Sequence, residues 1–355
     1  MEFLDDVWYC CALSTEMSKQ PLRRVICEIP LVFFKTESGQ TCVLEDRCSH
    51  RQAPLSHGEV IGEGIQCAYH GFVFGGSGRC TRIPHQDRQP AAADIRAFPI
   101  EERWGYVWVW LGGADNADPD KIPHMPWMES EDFRPVCFHF HVKANFQLMA
   151  DNLLDVSHTD FLHKNTIGSQ ASHADFKGET KVEMSGEIEG DRVTARRKIF
   201  NTPLGKIAAG WAQTEKPVNR TNTMMWEAPN TVHSFLEFEN DETNSSVHME
   251  HIMTPETRNT THYFMNWCRN FGLDNKSYTD DDVRRELTLV VVGEDMPMVE
   301  AQQLNLEDFP YIRDVAAKQD QFVMNVHRCL ISLYEKAGKQ APREIARNHA
   351  QRKSA

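Results

Sequence analysis

The chain has 355 residues, 41% of them hydrophobic and 25% charged, with a formal net charge of −13. That length suits about two domains, and the composition is that of a globular protein. The acidic balance excludes a nucleic-acid binder, which needs a basic surface to displace counterions, and no run approaches the roughly 18 apolar residues of a membrane span.

The N-terminal MEFLDDVWYCCALSTEM is acidic where a secretory signal is basic, so a mature cytoplasmic protein of bacterial type is expected. Up to about residue 112 the chain reads as strands. VICEIPLVFFKTESGQTCVLED (25–46) shows two apolar runs around a Glu-Ser-Gly-Gln turn, GRCTRI (78–83) follows a Gly-Gly-Ser-Gly turn, and WGYVWVWLG (104–112) alternates. The stretch 112–126, GGADNADPDKIPHMP, marks a linker by its Gly, Asp and Pro content. VCFHFHVKANF (136–146) then alternates and starts a second domain, with His139 and His141 read as supports of the fold. A helical run covers 148–162, strands are expected at 182–200, 221–238, 246–254 and 260–268, and two helices follow, from Asp280 to about Gln303 and from Ile312 to about Lys336. The expected fold class is α+β, an N-terminal all-β domain followed by an α+β domain with an antiparallel sheet and flanking helices. The expected bounds are 1–115 for the first domain, 116–130 for the linker, 131–345 for the second domain and 346–355 for a tail.

Of ten cysteines, only Cys48 and Cys67 come with histidine at ligand spacing, in Cys48-Ser-His50 and Cys67-Ala-Tyr-His70. Two thiolates and two imidazoles suit a structural zinc site. Zinc fingers, however, usually put both cysteines in one hairpin, whereas here each loop supplies one of each. That division suits a Rieske [2Fe–2S] cluster, with both thiolates on one iron and both imidazoles on the other. Trading anionic thiolates for neutral imidazoles raises the cluster's potential. His57, between the loops, sits at no ligand spacing. Arg47, Arg51, Arg79 and Arg82 flank the loops in an otherwise acidic chain; they are either solvated charge or a docking patch for an acidic electron donor.

A second constellation lies in ADNLLDVSHTDFLH (150–163). His158 and His163 are five apart, about 140° around a straight helix, so they converge only if a turn widens or the helix stops before His163. Asp155 lies on the face of His158 and can accept that ring's second N–H. Two histidines and a carboxylate make the facial triad of non-haem Fe(II). LVVVGEDMPMVEAQQ (289–303) offers Glu294 and Asp295 as the acid, and chemistry alone does not choose between them. Pro297 should kink that helix.

Together these constellations resemble the oxygenase component of the Rieske non-haem iron oxygenases, from Trp8-Tyr9 through ERWGYVWVW to EDMPMVEAQQ. Within that family the likeness is to the subgroup of dicamba and vanillate O-demethylases and toluenesulfonate methyl-monooxygenases, carried also by HIMTPETRNTTHYFMNWCRNFGLD (251–274). The resemblance implies a [2Fe–2S] cluster on Cys48, His50, Cys67 and His70, and a mononuclear Fe(II) on His158, His163 and Asp295. It gives Asp155 and Asn152 catalytic roles, Asp155 as a bridge toward the cluster of a neighbouring subunit and Asn152 as the asparagine near the metal. Pro297 departs from the family pattern. The resemblance further implies a head-to-tail homotrimer, a reductase partner with flavin and a [2Fe–2S] ferredoxin domain, and O2 and a small, acidic aromatic as substrates. The chain has no G-x-G-x-x-G turn placed to bind a dinucleotide itself. His251, Asn230, Trp226 and His233 are the candidate substrate-binding residues, His251 because it stands where the relatives have a histidine near substrate. O-demethylation with formaldehyde release is the expected outcome, with methyl or ring hydroxylation as the alternative. A plain Rieske electron carrier is the competing class, and it has no use for a distal triad.

Overall fold

The computed structural model describes residues 3–168, 181–315, 317–342 and 344–345. The expected tail at 346–355 and residues 169–180, within a stretch 165–180 whose position the sequence alone does not fix, lie outside the described residues. Two units divide the chain between Ile122 and Pro123, and Thr254–Arg258 group with the first.

The first unit holds ten strands: β1 (Val7–Leu13), β2 (Leu22–Ile26), β3 (Ile29–Lys35), β4 (Thr41–Glu45), β5 (Glu59–Ile61), β6 (Gly64–Gln66), β7 (Val73–Gly75), β8 (Cys80–Arg82), β9 (Ile100–Arg103) and β10 (Tyr106–Leu111). They form three sheets, ordered β1-β10-β9, β2-β3-β4 and β5-β6-β7-β8. The run 25–46 was expected to hold two strands and in fact spans three. Ile26 pairs with Ile29 across a two-residue turn in which Cys27 and Glu28 both have positive φ (51° and 68°). Such a turn usually advertises itself with Asn or Gly. Here the two turn N–H groups are held instead by the carbonyls of Pro255 and Glu256, both at 2.8 Å. A core of Val32, Phe34, Leu44, Leu55, Ile65 and Phe74 packs around Cys48 and Cys67.

The second unit is built on one seven-stranded sheet, β11-β17-β16-β15-β14-β13-β12, antiparallel in the pairings of β11 with β17 and of β12 through β16. Its strands are β11 (Arg134–Val142), β12 (Val182–Glu189), β13 (Arg192–Thr202), β14 (Val218–Glu227), β15 (Thr231–Glu239), β16 (Asn244–Thr257) and β17 (Thr260–Arg269). The stretches 182–200 and 221–238 are thus hairpins, each a strand pair. The helices are α1 (Phe146–Leu154), α2 (Lys206–Ala212), α3 (Asp280–Leu287), α4 (Met296–Asp308) and α5 (Gln321–Lys336), with a π-helix at Thr288–Asp295 between α3 and α4. The last helix starts nine residues later than the expected Ile312. Residues alternate faces along a strand. One face of β14–β17 therefore carries Met224, Leu236, Met249 and Tyr263 toward the helices, and the other carries His233 and Glu250.

Candidate active site

The two cysteine loops share one backbone pattern. The N–H of Cys48 donates to Ala53 O and that of Cys67 to Phe72 O, both at 2.8 Å. The carbonyl of Cys48 accepts from Gln52 N–H (2.9 Å), and that of Cys67 from Gly71 N–H (3.0 Å). The fourth residue after each cysteine has positive φ, 60° at Gln52 and 73° at Gly71. At Gly71 a Cβ would also meet Pro84 Cγ at 3.2 Å. The unequal gaps to the histidines thus sit on matched loops. His50 and His70 come together with ring centroids 4.5 Å apart at 71°, and Phe72 stacks on His50 at 4.8 Å. The thiols are buried (Cys48 1% and Cys67 2% exposed) while both imidazoles are exposed. Burial raises the Cys48 thiol to about 11, partly opposed by the backbone N–H of His50 and reinforced by a hydrogen bond with Cys67. Iron reverses that preference by stabilising thiolate. Sulfur inside and nitrogen outside is the division a two-iron cluster with separate thiolate and imidazole irons requires. His57 is exposed, at the end of a short 3-10 turn.

In the second unit, Asn145 Oδ1 caps α1 by accepting from Gln147 N–H at 2.9 Å. The helix stops at Leu154. Asp155 ends it, and its Oδ1 accepts from Ser157 N–H (2.9 Å) to start a 3-10 turn over Val156–Asp160. This early stop, rather than a widened turn, brings His158 and His163 together. The ring of His158 donates from Nδ1 to the backbone carbonyl of Asp155, not to its carboxylate as expected. The carboxylate is committed to the cap through one oxygen, and its other oxygen has no partner among the described residues.

The widened helix occurs instead under the acid. Pro297 has no N–H to offer Gly293, so an α-ladder would break there. The chain runs as a π-helix over Thr288–Asp295, in which Met296 N–H donates to Val291 O, and Pro297 falls in the first turn of α4, where no donor is needed. Asp295 then points at the histidines. Its Oδ1 lies 3.1 Å from His163 Nε2 and 3.5 Å from His158 Nε2, and the two Nε2 atoms are 3.2 Å apart. Glu294 holds the ring rather than facing the centre, since its Oε2 accepts from His163 Nδ1 (2.7 Å) and from Thr166 Oγ1 (2.8 Å). Both rings therefore spend their Nδ1 proton on a neighbour and turn a bare Nε2 lone pair inward. Three electron-rich atoms at this spacing fit a cation. Donors about 2.1 Å from an ion and at right angles lie about 3 Å apart. A proton on Nε2 competes with an ion for this spot: burial alone would raise Asp295, but the two imidazoles, when protonated, hold it down at about 2 by hydrogen bonding. Burial depresses His163 while Asp295 and Glu294 outweigh it and raise it, the same field that favours a metal ion. Asn152 Nδ2 donates to Asp295 Oδ1 at 3.2 Å.

A cavity of about 100 Å³ opens on these ligands, walled by Trp211, Met224, Leu236, Met249 and Val290. His251 lines it. Burial holds that ring neutral, down to about 3, and its Nδ1 bonds Tyr263 Oη at 2.6 Å. The other three candidates for substrate contact do not line it. Asn230 is spent on Met253 O (2.9 Å), and Trp226 is fully buried. His233 lies on the opposite face of the sheet, 3.1 Å from Glu227 and 3.5 Å from Glu250. Strand parity carries the distinction: His233 is an odd position on β15, while Ser234 and Leu236 face the cavity. Sequence reading missed Arg220, Asn222 and Tyr263, which line it, and the role of Glu294. A wider opening of about 790 Å³ reaches His158 from the outside past Asp155, Phe161 and Met298.

A β unit with matched Cys/His loops, joined to an α+β unit with a two-histidine, one-carboxylate set, defines an oxygenase with two iron centres. The Rieske [2Fe-2S] domain model matches residues 7–99, and the vanillate O-demethylase oxygenase C-terminal domain model matches 142–336. The oxygenase component of dicamba O-demethylase from Stenotrophomonas maltophilia is 34% identical over 307 residues, 85% of this chain and 88% of that protein. A putative toluene-4-sulfonate monooxygenase system iron-sulfur subunit from Comamonas testosteroni is 34% identical over 315 residues, 86% and 89% of the two chains. The crystal structure of dicamba monooxygenase bound to 3,6-dichlorosalicylic acid aligns with a TM-score of 0.89 at 29% identity, over 95% of this chain and 99% of that one. The chain belongs to the Rieske non-haem iron oxygenases, as an oxygenase component. It is an oxidoreductase whose cofactors are a Rieske [2Fe–2S] cluster and a mononuclear iron, which His158, His163 and Asp295 are arranged to bind. Among the described residues no helix is long and apolar enough to cross a membrane.

Proposed function

We propose that this chain is the terminal oxygenase of a system that monooxygenates a small aromatic acid, with O-demethylation of a methoxy group as its reaction. One observation carries the reading: an apolar cavity of about 100 Å³ ends on His158, His163 and Asp295, so a flat apolar ring there presents a substituent to the metal. Iron held at those residues supplies reduction of O2 for insertion of one oxygen atom into a C–H bond. The chain's own groups then have definite roles. Glu294 and the Asp155 carbonyl fix the two imidazole tautomers, Asn152 steadies Asp295, and Met224, Leu236 and Met249 exclude water. With a methoxy substrate, O2, two electrons and two protons give a hemiacetal and water, and the hemiacetal collapses to a phenol and formaldehyde.

The electrons come from NAD(P)H through a separate reductase with flavin and a [2Fe–2S] ferredoxin domain, which docks beside the exposed Arg47, Arg51, Arg79 and Arg82. The chains assemble as a head-to-tail homotrimer in the cytoplasm. The opening that reaches His158 past Asp155, with exposed Phe161 on its rim, is the face on which the neighbour's cluster docks. Oxygen uptake with a generic reductase, screened over methoxy- and methyl-substituted benzoates, tests the reading. Formaldehyde equal to the phenol formed is the expected result. An alcohol without formaldehyde makes it a methyl hydroxylase, and uptake yielding only peroxide with every aromatic contradicts the monooxygenase assignment.

A further inference from the structure

Arg220 is a buried cation with no counter-ion among the described residues. On β14, only 5% exposed, it donates from Nε to Asn222 Oδ1 (3.0 Å) and from Nη1 to Ile167 O (3.2 Å), and its guanidinium lies 5.9 Å from the Phe238 ring centre. No carboxylate pairs with it among the described residues, and Nη2 has no partner there. The nearby acid, Asp160, lies against Arg197 at 3.5 Å instead. Burying a charge is costly unless it is paired, so an unpaired guanidinium in an apolar wall calls for an anion. Burial lowers it only to about 10, with Arg197 adding to the depression and Asp160 opposing it, so it stays charged at neutral pH.

Its surroundings place that anion. Arg220, Asn222 and Met224 alternate along β14 and line the cavity that also reaches His158, His163 and Asp295. Because an arginine Nε–H can only donate, the atom of Asn222 facing it is the oxygen, which leaves the Asn222 amide as a second donor. The cavity is thus lined by the three metal-ligand candidates, by apolar side chains and by a guanidinium with an amide beside it.

We propose that Arg220, with Asn222, is the anion-binding subsite of this cavity, taking the planar or tetrahedral oxyanion (carboxylate or sulfonate) of an aromatic substrate. This inference rests on the reading of the cavity as the substrate site. A guanidinium fork matches such oxyanions and fixes the ring's orientation as well as its affinity. A purely structural Arg220, holding Ile167 and Asn222, would be indifferent to ligand charge.

The test is calorimetric binding to the iron-loaded, cluster-containing protein without oxygen. The probes are 3-methoxybenzoate and toluene-4-sulfonate, each against its neutral amide or sulfonamide. Wild type should bind each anion roughly 10-fold or more tighter than its neutral counterpart. Arg220→Gln should abolish that preference while leaving neutral affinities within about twofold. Carboxylate preferred over sulfonate, or the reverse, names the oxyanion. Equal binding of acid and neutral forms by wild type, or an anion preference that survives in Arg220→Gln, overturns the proposal. Should Arg220→Gln not fold, Arg220→Lys decides, since loss of the fork should weaken the preference several-fold and an unchanged preference refutes the role. Turnover of the same probes separates the two readings. Anion-selective binding without oxygenation sinks the monooxygenase reading alone, and oxygenation without anion selectivity sinks the subsite alone.

Discussion

Asp155 divides its work between backbone and side chain. Its carbonyl accepts from His158 Nδ1, one carboxylate oxygen caps the turn at Ser157, and the residue lines the opening that leads to His158. Asp155→Asn keeps an oxygen for the cap and leaves the carbonyl untouched, so both iron centres should survive. What it removes is the negative charge that would receive a neighbouring cluster's imidazole N–H. Steady-state turnover should fall by roughly 100-fold or more, with the cluster spectrum and mononuclear iron content unchanged. Turnover at the wild-type rate would remove the carboxylate from the electron path. Glu294 shows why the two adjacent acids could not be told apart by composition. They are one residue apart on a π-helix, and only the placement of Thr166 and His163 assigns one to the ring and the other to the metal.

The strands show where sequence reading succeeds and where it stops. Alternation located the sheet of the second unit, and Cys-x-His with Cys-x-x-His located the cluster loops, because both signals are local. Strand parity alone would have moved His233 off the cavity, but the tight turns that set it, such as that before Thr231, were not visible. The Cys27–Glu28 turn was missed because its N–H groups are satisfied by residues more than two hundred positions away. A kink was expected at Pro297 and a widened turn was one of two options for the histidines; the π-helix lies before Pro297, and the histidines use the other option, a helix stop. His233 has a measurable role on the sheet face away from the cavity, where it is buried. Burial works against its charge, but Glu227 and Glu250 outweigh burial and raise it to about 9, above the usual value of roughly 6.5. A raised folded value stabilises fully below pH 6.5, and the stabilisation is lost as pH climbs through 9. That amounts to about 3 kcal/mol. His233→Gln should lower Tm by several degrees near pH 6.5, with the gap to wild type closing by pH 9.5. A gap independent of pH would show that the ring acts by packing alone.

The two units divide the chemistry as they divide the chain: matched loops bury two thiols in one, and a helix stop and a π-helix gather three ligands in the other. The motifs of both centres were legible because metal ligation needs particular residue types at particular spacings. Arg220 and Tyr263 were not, since they carry no motif and stand out only through what the described residues leave unpaired or place opposite His251. The assignment of a mononuclear iron to His158, His163 and Asp295 is checked most directly by iron and acid-labile sulfide per chain in wild type and His163→Ala. Wild type should contain one iron more than the sulfide of its two-iron cluster accounts for, and His163→Ala should lose that iron while keeping the red-brown cluster absorbance. Iron equal to sulfide in fully loaded wild type, or an excess iron that persists in His163→Ala, would contradict it.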